Sequence, residues 1–379
     1  MLNIGITGSS GFIGKHLVNT LNLNKKINLF TIDKDNYNNK EKLKSFVKDC
    51  NVIIHLSSLN RHEDGKTLFD KNIEIVKKLI NALNDSKSNS HVIFSSSIQE
   101  NSNNSYGKSK KKSGLLLEDW ANSSDGKVTS LTIPNVFGPF GKPFYNSVVA
   151  TFCYQLAEGE TPSIDSDNEL KLIYVGELID NILHIIESQR TDKVFSKSSF
   201  IRLPILPTNK IKVSKILNKL KRFKALYLDN AIIPDLTQGF DKNLFNTFLC
   251  YLDHKSLFPY NLKLNTDKRG SFVETMKFNS SGQVSFSTTK PGITRGNHYH
   301  TRKFERFAVI EGKALIQLRK IGSNKIYNFT LNGETPSFVD MPIWFTHNIK
   351  NIGTANLLTL FWINETFDEK DPDTYFEKV

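Results

Sequence analysis

Two groups of residues in this chain carry side chains able to do chemistry. The first is "FSSSIQ" at 94–99 followed by "YGKSK" at 106–110. Tyr106 and Lys110 stand one helical turn apart, so both can face one cleft, and an ammonium beside a phenol favours the phenolate. A tyrosine whose pKa is drawn toward neutrality in this way can hand its proton to a carbonyl oxygen while a hydride arrives at the carbon. A hydroxyl from the serine cluster can bind that same oxygen. The second group is "GNHYHTRKFERFAVIEG" at 296–312. His298 and His300 alternate on a strand and point to one side, with Tyr299 on the other, and Glu305 can return to the histidine side after a turn. His347, in "MPIWFTHNIKN", offers a fourth ligand. Three imidazoles and a carboxylate suit Zn2+, and iron, manganese or nickel also accept this donor set. Lys303 and Tyr299 are the nearest candidates in sequence for a general base beside such a metal.

These groups need scaffolds of different kinds. From residue 1 to about 185, short β-rich runs ("LNIGIT", "INLFTI", "VIIHLS", "HVIFSSS", "VTSLTI") alternate with helical patterns such as "GKHLVNTLN" and "LFDKNIEIVKKLINALN". That alternation predicts a parallel, doubly wound α/β sheet of the Rossmann type. Gly8, Gly11 and Gly14 follow the first strand and open a helix, the context in which a pyrophosphate rests on a helix N-terminus. Asp33 ends the second strand, where a carboxylate would bind a free ribose hydroxyl and select NADH; Lys34 beside it would meet a 2'-phosphate and select NADPH. After a less periodic stretch holding "LPILP" and the helical "VSKILNKLKRFKALY", strand-like runs follow: "GSFVETMKF", "GQVSFSTTK", "ERFAVIEGKALIQLRK" and "NLLTLFWIN". They predict an all-β sandwich or barrel. The 379 residues thus divide into two domains, 1–255 and 256–379.

The formal charge of +12 does not point to nucleic acid. The lysines are dispersed, and the one dense run, "KSKKKS", coincides with the Tyr106–Lys110 motif and lacks interleaved aromatics. A diphosphate substrate would itself favour a basic cleft. No apolar run reaches the roughly 18 residues of a membrane span, and the chain enters its first strand directly, which predicts a cytoplasmic protein. Cys50, Cys153 and Cys250 are odd in number and far apart, as expected of reduced thiols.

The N-terminal part resembles the extended short-chain dehydrogenase/reductases that act on nucleotide sugars, through "ITGSSGFIG", "VIIHLSSLNR", "SSS...YGKSK" and "IPNVFGP". The resemblance implies that Tyr106 is the proton donor, that Lys110 orients the ribose and activates the tyrosine, and that Ser97 holds the reacting oxygen. It implies a cofactor site of Gly8, Gly11, Phe12, Ile13, Gly14, Asp33, Lys34, Leu56 and Lys110, with Asn135 near the substrate diphosphate. The C-terminal part resembles cupins: Gly292, His298, His300, Glu305 and Gly312 match the first cupin motif, and Pro342, His347 and Asn351 match the second, in which Trp344 stands in place of a glycine. Their order resembles the bifunctional enzymes of capsular-polysaccharide and O-antigen synthesis, which fuse a reductase to a cupin. That likeness implies a UDP-2-acetamido-2,6-dideoxy-4-ketohexose substrate, C3 epimerisation by the cupin, NADPH-dependent C4 reduction, and a homodimer formed through the cupin. The product is then of L-talo or L-rhamno type. Two other readings fit the same residues: a reductase with a structural, dimerising cupin, and a sugar-nucleotide binder without turnover.

Overall fold

A computed structural model describes residues 1–379 apart from 190–198, 263, 268–269, 274–275, 279–281 and 366–367. Two positions of the predicted strand run "GSFVETMKF", Glu274 and Thr275, therefore lie outside the described residues.

The N-terminal unit is built on strands β1 (Leu2–Thr7), β2 (Ile27–Ile32), β3 (Val52–His55), β4 (His91–Ser97), β5 (Lys127–Ile133), β6 (Asn135–Phe137), β7 (Glu169–Tyr174), β8 (Phe200–Pro204) and β9 (Asn209–Lys212). Six form one parallel sheet in the order β2-β1-β3-β4-β5-β8, while β6, β7 and β9 form a small second sheet. β3 and β4 are buried along their whole length, as strands covered on both faces must be. The order reverses between β1 and β3, and the carboxyl ends of those strands carry Gly8 and Leu56, so the cleft opens where doubly wound sheets bind ligands. Helices α1 (Phe12–Leu21), α2 (Lys34–Asn38), α3 (Lys40–Asp49), α4 (Gly65–Ser86) and α5 (Ser105–Asn122) cover the sheet. The apolar faces of α3, α4 and α5 meet β3 and β4 in one core of Val47, Ile53, Leu79, Leu83, Val92, Phe94 and Leu117.

The C-terminal unit carries two five-stranded antiparallel sheets. One runs in the order Tyr260–Asn261, Ser337–Met341, Glu305–Glu311, Leu357–Ile363, Gln283–Thr289. The other runs Ile326–Asn332, Lys313–Lys320, Phe345–Asn351, Thr294–Tyr299, Tyr375–Phe376. Ala308, Val309 and Val339 of the first pack with Ile316, Leu318 and Ile349 of the second in a shared core. This is the all-β arrangement that the alternating runs predict.

The compact units do not part at residue 255. The second includes 138–143, 148–168 and everything from Lys212 onward. One physical reason is a buried cluster: Arg306 holds Asp340 through two hydrogen bonds of 2.7 and 2.9 Å, and the Tyr227 hydroxyl donates to the same carboxylate. Both members of this ion pair are about 1% exposed, and breaking such a pair costs roughly 3–5 kcal/mol. The helical stretch around Tyr227 is thereby fastened to the β-sheet unit.

Candidate active site and metal centre

In the N-terminal unit a cleft of about 1090 Å3 is lined by the glycine loop, the carboxyl ends of β2 to β4, Tyr106, Lys110 and Asn135. It brings together all of Gly8, Gly11, Phe12, Ile13, Gly14, Asp33, Lys34, Leu56, Ser97, Tyr106, Lys110 and Asn135. A Cβ on Gly14 would lie 2.2 Å from the Gly8 carbonyl oxygen, so only glycine lets the helix start this close to the turn. The N-cap of α1 is Gly11, with no side-chain cap. The first amides of the helix are left for an anionic ligand, and they fit the pyrophosphate of a dinucleotide.

Helix α5 delivers the tyrosine and lysine. Its N-cap, Asn104, accepts from the Gly107 amide at 2.7 Å, which sets Tyr106 in the first turn. A Cβ on Gly107 would fall 1.9 Å from the Gln99 carbonyl oxygen, so this glycine lets the helix press against the turn that follows β4. Lys110 is buried; its Nζ donates to the Ser95 carbonyl at 2.7 Å and lies 5.6 Å from the centre of the Tyr106 ring.

Partners sort the three serines. Ser95 Oγ donates to the His55 carbonyl at 3.0 Å and Ser96 Oγ donates to Glu100 at 2.6 Å. Ser97 Oγ accepts from the Gln99 amide at 3.2 Å, which keeps its proton for a ligand.

The expected lowering of the tyrosine pKa is not what this site does. Burial pushes the Tyr106 phenol up to about 12, with Tyr145 adding to the effect. Burial also brings the Lys110 ammonium down to about 7. The motif spacing puts a lysine beside a phenol, but loss of hydration governs both groups. Tyr106 accordingly keeps its proton at neutral pH.

In the C-terminal unit His298, His300, Glu305 and His347 converge, with one ligand atom from each lying within 4.8 Å of the others. Asn297 takes a positive φ of 58° at a bulge in the strand Thr294–Tyr299, after which His298 pairs directly with His347. Glu305 Oε2 stands 3.3 Å from His300 Nε2 and 3.0 Å from His347 Nε2. All three of these atoms are buried without a hydrogen-bond partner, the condition of a donor set shaped for a cation. Outer contacts orient the rings: His300 Nδ1 meets the Asp373 carbonyl at 2.5 Å and His347 Nδ1 meets the Phe345 carbonyl at 3.2 Å. With a metal bound, Nδ1–H would donate outward and each Nε2 lone pair would face the ion. Burial alone would raise the Glu305 carboxyl, but His300 and His347 outweigh it and hold the group below the usual carboxylate range. The residues therefore fit a divalent metal, which would bring Lewis-acid stabilisation of an anionic oxygen.

Tyr299 points away from this cluster: it is buried and stacks on Trp344, with ring centres 5.6 Å apart. Trp344 sits at φ 60°, a region that favours glycine, and its amide donates to the His300 carbonyl at 2.9 Å. Lys303 Nζ donates to the Pro372 carbonyl at 3.0 Å. Sequence reasoning missed Asp373: an acid in the charged, proline-containing run "DEKDPD" reads as a solvated turn, and the fold alone brings it to His300.

The NAD dependent epimerase/dehydratase family matches residues 4–196, and the polysaccharide biosynthesis C-terminal domain matches residues 265–375. A curated relative from Pseudomonas aeruginosa, UDP-2-acetamido-2,6-beta-L-arabino-hexul-4-ose reductase, is 30% identical over 99% of this chain and 98% of its own. The chain belongs to the NAD dependent epimerase/dehydratase family. It is an enzyme of the two-part kind: the crystal structure of the capsular polysaccharide assembling protein CapF from Staphylococcus aureus is 36% identical, covers 100% of both chains, and has a TM-score of 0.64. A UDP-glucuronic acid 4-epimerase from Bacillus cereus matches 59% of this chain and 83% of its own with a TM-score of 0.52 at 17% identity, a likeness of fold alone. As in other members of the epimerase/dehydratase family, a nicotinamide dinucleotide is the cofactor. The family likeness leaves the choice of dinucleotide to residues at the end of β2. There Asp33 caps α2, and its carboxylate already accepts from the Asn36 amide at 2.7 Å and the Asn36 side chain at 2.8 Å.

Proposed function

We propose that this enzyme epimerises C3 and then reduces C4 of a UDP-2-acetamido-2,6-dideoxy-4-ketohexose, supplying a UDP-N-acetyl-6-deoxy-L-hexosamine for polysaccharide synthesis. The name of the Pseudomonas relative supports the substrate class. The observation that carries the double activity is the His298–His300–Glu305–His347 set, half-buried at His298 and buried at the other three, with unpartnered donor atoms on His300, Glu305 and His347, in the same chain as the Tyr106–Lys110–Ser97 site. In functional terms, residues 1–255 carry the reduction and residues 256–379 the epimerisation.

Chemistry orders the two steps. The C3 proton is acidic only while C4 is a ketone, because the carbanion delocalises into that carbonyl. Zn2+, or another divalent ion on the same four ligands, would stabilise the negative oxygen at C4. Lys303 is our candidate for the group that moves the C3 proton. In the reductase site the nicotinamide would supply a hydride to C4. Ser97 donates to the C4 oxygen, and Tyr106 Oη delivers its proton there. The raised phenol pKa suits this direction: the proton stays on Tyr106 until a more basic alkoxide develops. Asn135 lies on the cleft wall, where it can meet the substrate diphosphate.

NADPH is the favoured reductant in this reading, since Asn36 satisfies the Asp33 carboxylate while Lys34 is exposed at the cleft wall. We also assign a homodimer formed through the all-β unit. Its outermost strand, Gln283–Thr289, leaves Val284 48% and Phe286 72% exposed, an apolar edge that a second copy would cover. Among the described residues no helix is long and apolar enough to cross a membrane, and Cys50, Cys153 and Cys250 are free thiols. A cytoplasmic setting, where nucleotide sugars and reduced thiols coexist, suits both.

The deciding experiment is incubation with the 4-keto sugar nucleotide in deuterated water without reduced cofactor. Deuterium should enter C3, and should still do so in Tyr106→Phe, since enolisation needs no hydride. Combined His298→Ala and His300→Ala should abolish the exchange. Exchange that persists at the wild-type rate in the folded, metal-free protein would leave the C-terminal unit without a catalytic metal. Proton NMR of the product formed with reduced cofactor then gives the configuration at C3 and C4.

A further inference from the structure

The segment Pro372–Phe376 meets the ligands His298 and His300 and the 301–303 turn that leads on to Glu305. Asp373 is 2% exposed, and its carboxylate accepts the Thr301 hydroxyl at 2.6 Å and the amides of Thr301, Arg302 and Lys303 at 3.1, 3.0 and 3.1 Å. Its backbone carbonyl is the oxygen that meets His300 Nδ1. Two residues on, Tyr375 and Phe376 pair with Tyr299 and His298 as an added strand. Asp373 also takes a φ of 42°, a conformation that a residue other than glycine keeps only when its surroundings hold it there.

We propose that this segment is a clasp that sets the geometry and affinity of the metal centre, with Asp373 as its positioning residue; the inference rests on the metal-site reading above. An ordinary loop cap satisfies amides and nothing more. Here the residue that gathers the 301–303 turn with its side chain also orients a ligand ring with its main chain. The turn joins His300 to Glu305, so one carboxylate governs the spacing of two ligands. The strand pairing of Phe376 steadies a third, His298. An anionic acceptor is required because every partner is a donor: an asparagine amide would set an N–H2 against backbone N–H groups.

The test uses the full chain, stripped of metal and titrated with Zn2+ against a chelator, and separately loaded with Co2+ for its absorption spectrum. Asp373→Asn should weaken Zn2+ binding by about 10- to 100-fold, the range for outer-shell partners of metal ligands, and should alter the cobalt ligand-field bands. Thr301→Val, which removes one hydrogen bond to the carboxylate and touches no ligand, should weaken Zn2+ binding less, in the same direction. Wild-type protein that binds no Zn2+ would overturn the metal reading, and the clasp with it. Wild-type binding beside an Asp373→Asn affinity within twofold and an unchanged cobalt spectrum would overturn the clasp alone. Should Asp373→Asn fail to fold, Thr301→Val decides: wild-type affinity and spectrum in that variant would refute the proposal.

Discussion

Lys110 Nζ donates to the Ser95 carbonyl at 2.7 Å, so the lysine that faces the Tyr106 ring is anchored to the strand that carries the serines. Ser95 in turn donates its hydroxyl to the His55 carbonyl on the neighbouring strand. Lys110 and the serines thus sit against buried strands of the sheet, and their behaviour follows from burial there.

Lys110 has a folded-state pKa near about 7, against an ordinary value of 10.5. Below about 7 the ammonium is charged in both folded and unfolded chains, and the full cost of burying it is present. As pH rises from about 7 to 10.5 the folded protein sheds this proton while the unfolded chain keeps it, so the cost fades and stability rises. Lys110→Met removes the buried charge. Thermal melts of cofactor-free protein should show the variant gaining most on wild type near about pH 6, with the gap narrowing by up to about 1.4 kcal/mol per pH unit above about 7. A gap independent of pH would mean that the lysine is not depressed.

Tyr106→Phe removes the proposed proton donor and little else. The rate of cofactor oxidation with the 4-keto sugar should fall roughly 10²- to 10⁴-fold, while the dissociation constant for reduced cofactor stays within a few-fold of wild type. Turnover close to wild type would remove Tyr106 from the chemistry.

Cofactor preference should follow Lys34 rather than Asp33, whose carboxylate Asn36 already occupies. We expect kcat/KM to be higher for NADPH than for NADH. Lys34→Ala should reduce that ratio about tenfold, the loss of one charge-assisted hydrogen bond of roughly 1.5 kcal/mol. An NADH preference in the wild type would show that Asp33 governs the pocket.

Light scattering at micromolar concentration should give a dimer for the wild type. Phe286→Asp places a charge on the exposed apolar edge and should shift the protein toward monomer, while leaving its thermal melt nearly unchanged because the side chain is not part of the monomer core. A wild-type monomer would refute the dimer, and a variant that stays fully dimeric would move the interface elsewhere.

Much of this protein is local in sequence. Five of the six strands of the parallel sheet show as apolar runs, because a strand covered on both faces has no polar alternation to hide it, whereas β8, the half-exposed edge strand "FIRLP", lies in the stretch that reads as less periodic. The glycine loop, the serines and the Tyr106–Lys110 pair are legible for the same reason: their spacing obeys the period of the element that carries them. His298, His300 and Glu305 lie within eight residues, so their convergence is also readable.

What only the tertiary structure decided are quantities set by distant neighbours. Burial reversed the expected titration of Tyr106, because desolvation depends on everything packed around a group and not on its nearest charge in sequence. Residue 255 looks like a boundary where periodicity changes, yet the Arg306–Asp340–Tyr227 cluster draws the preceding helices into the C-terminal unit. Asp373 reaches His300 across 73 positions, through a loop held in a left-handed conformation by hydrogen bonds that no pattern of residue types announces. Periodicity encodes which face of an element is buried; it carries no record of which distant carbonyl will meet a given imidazole, and that contact exists only once the chain has closed on itself.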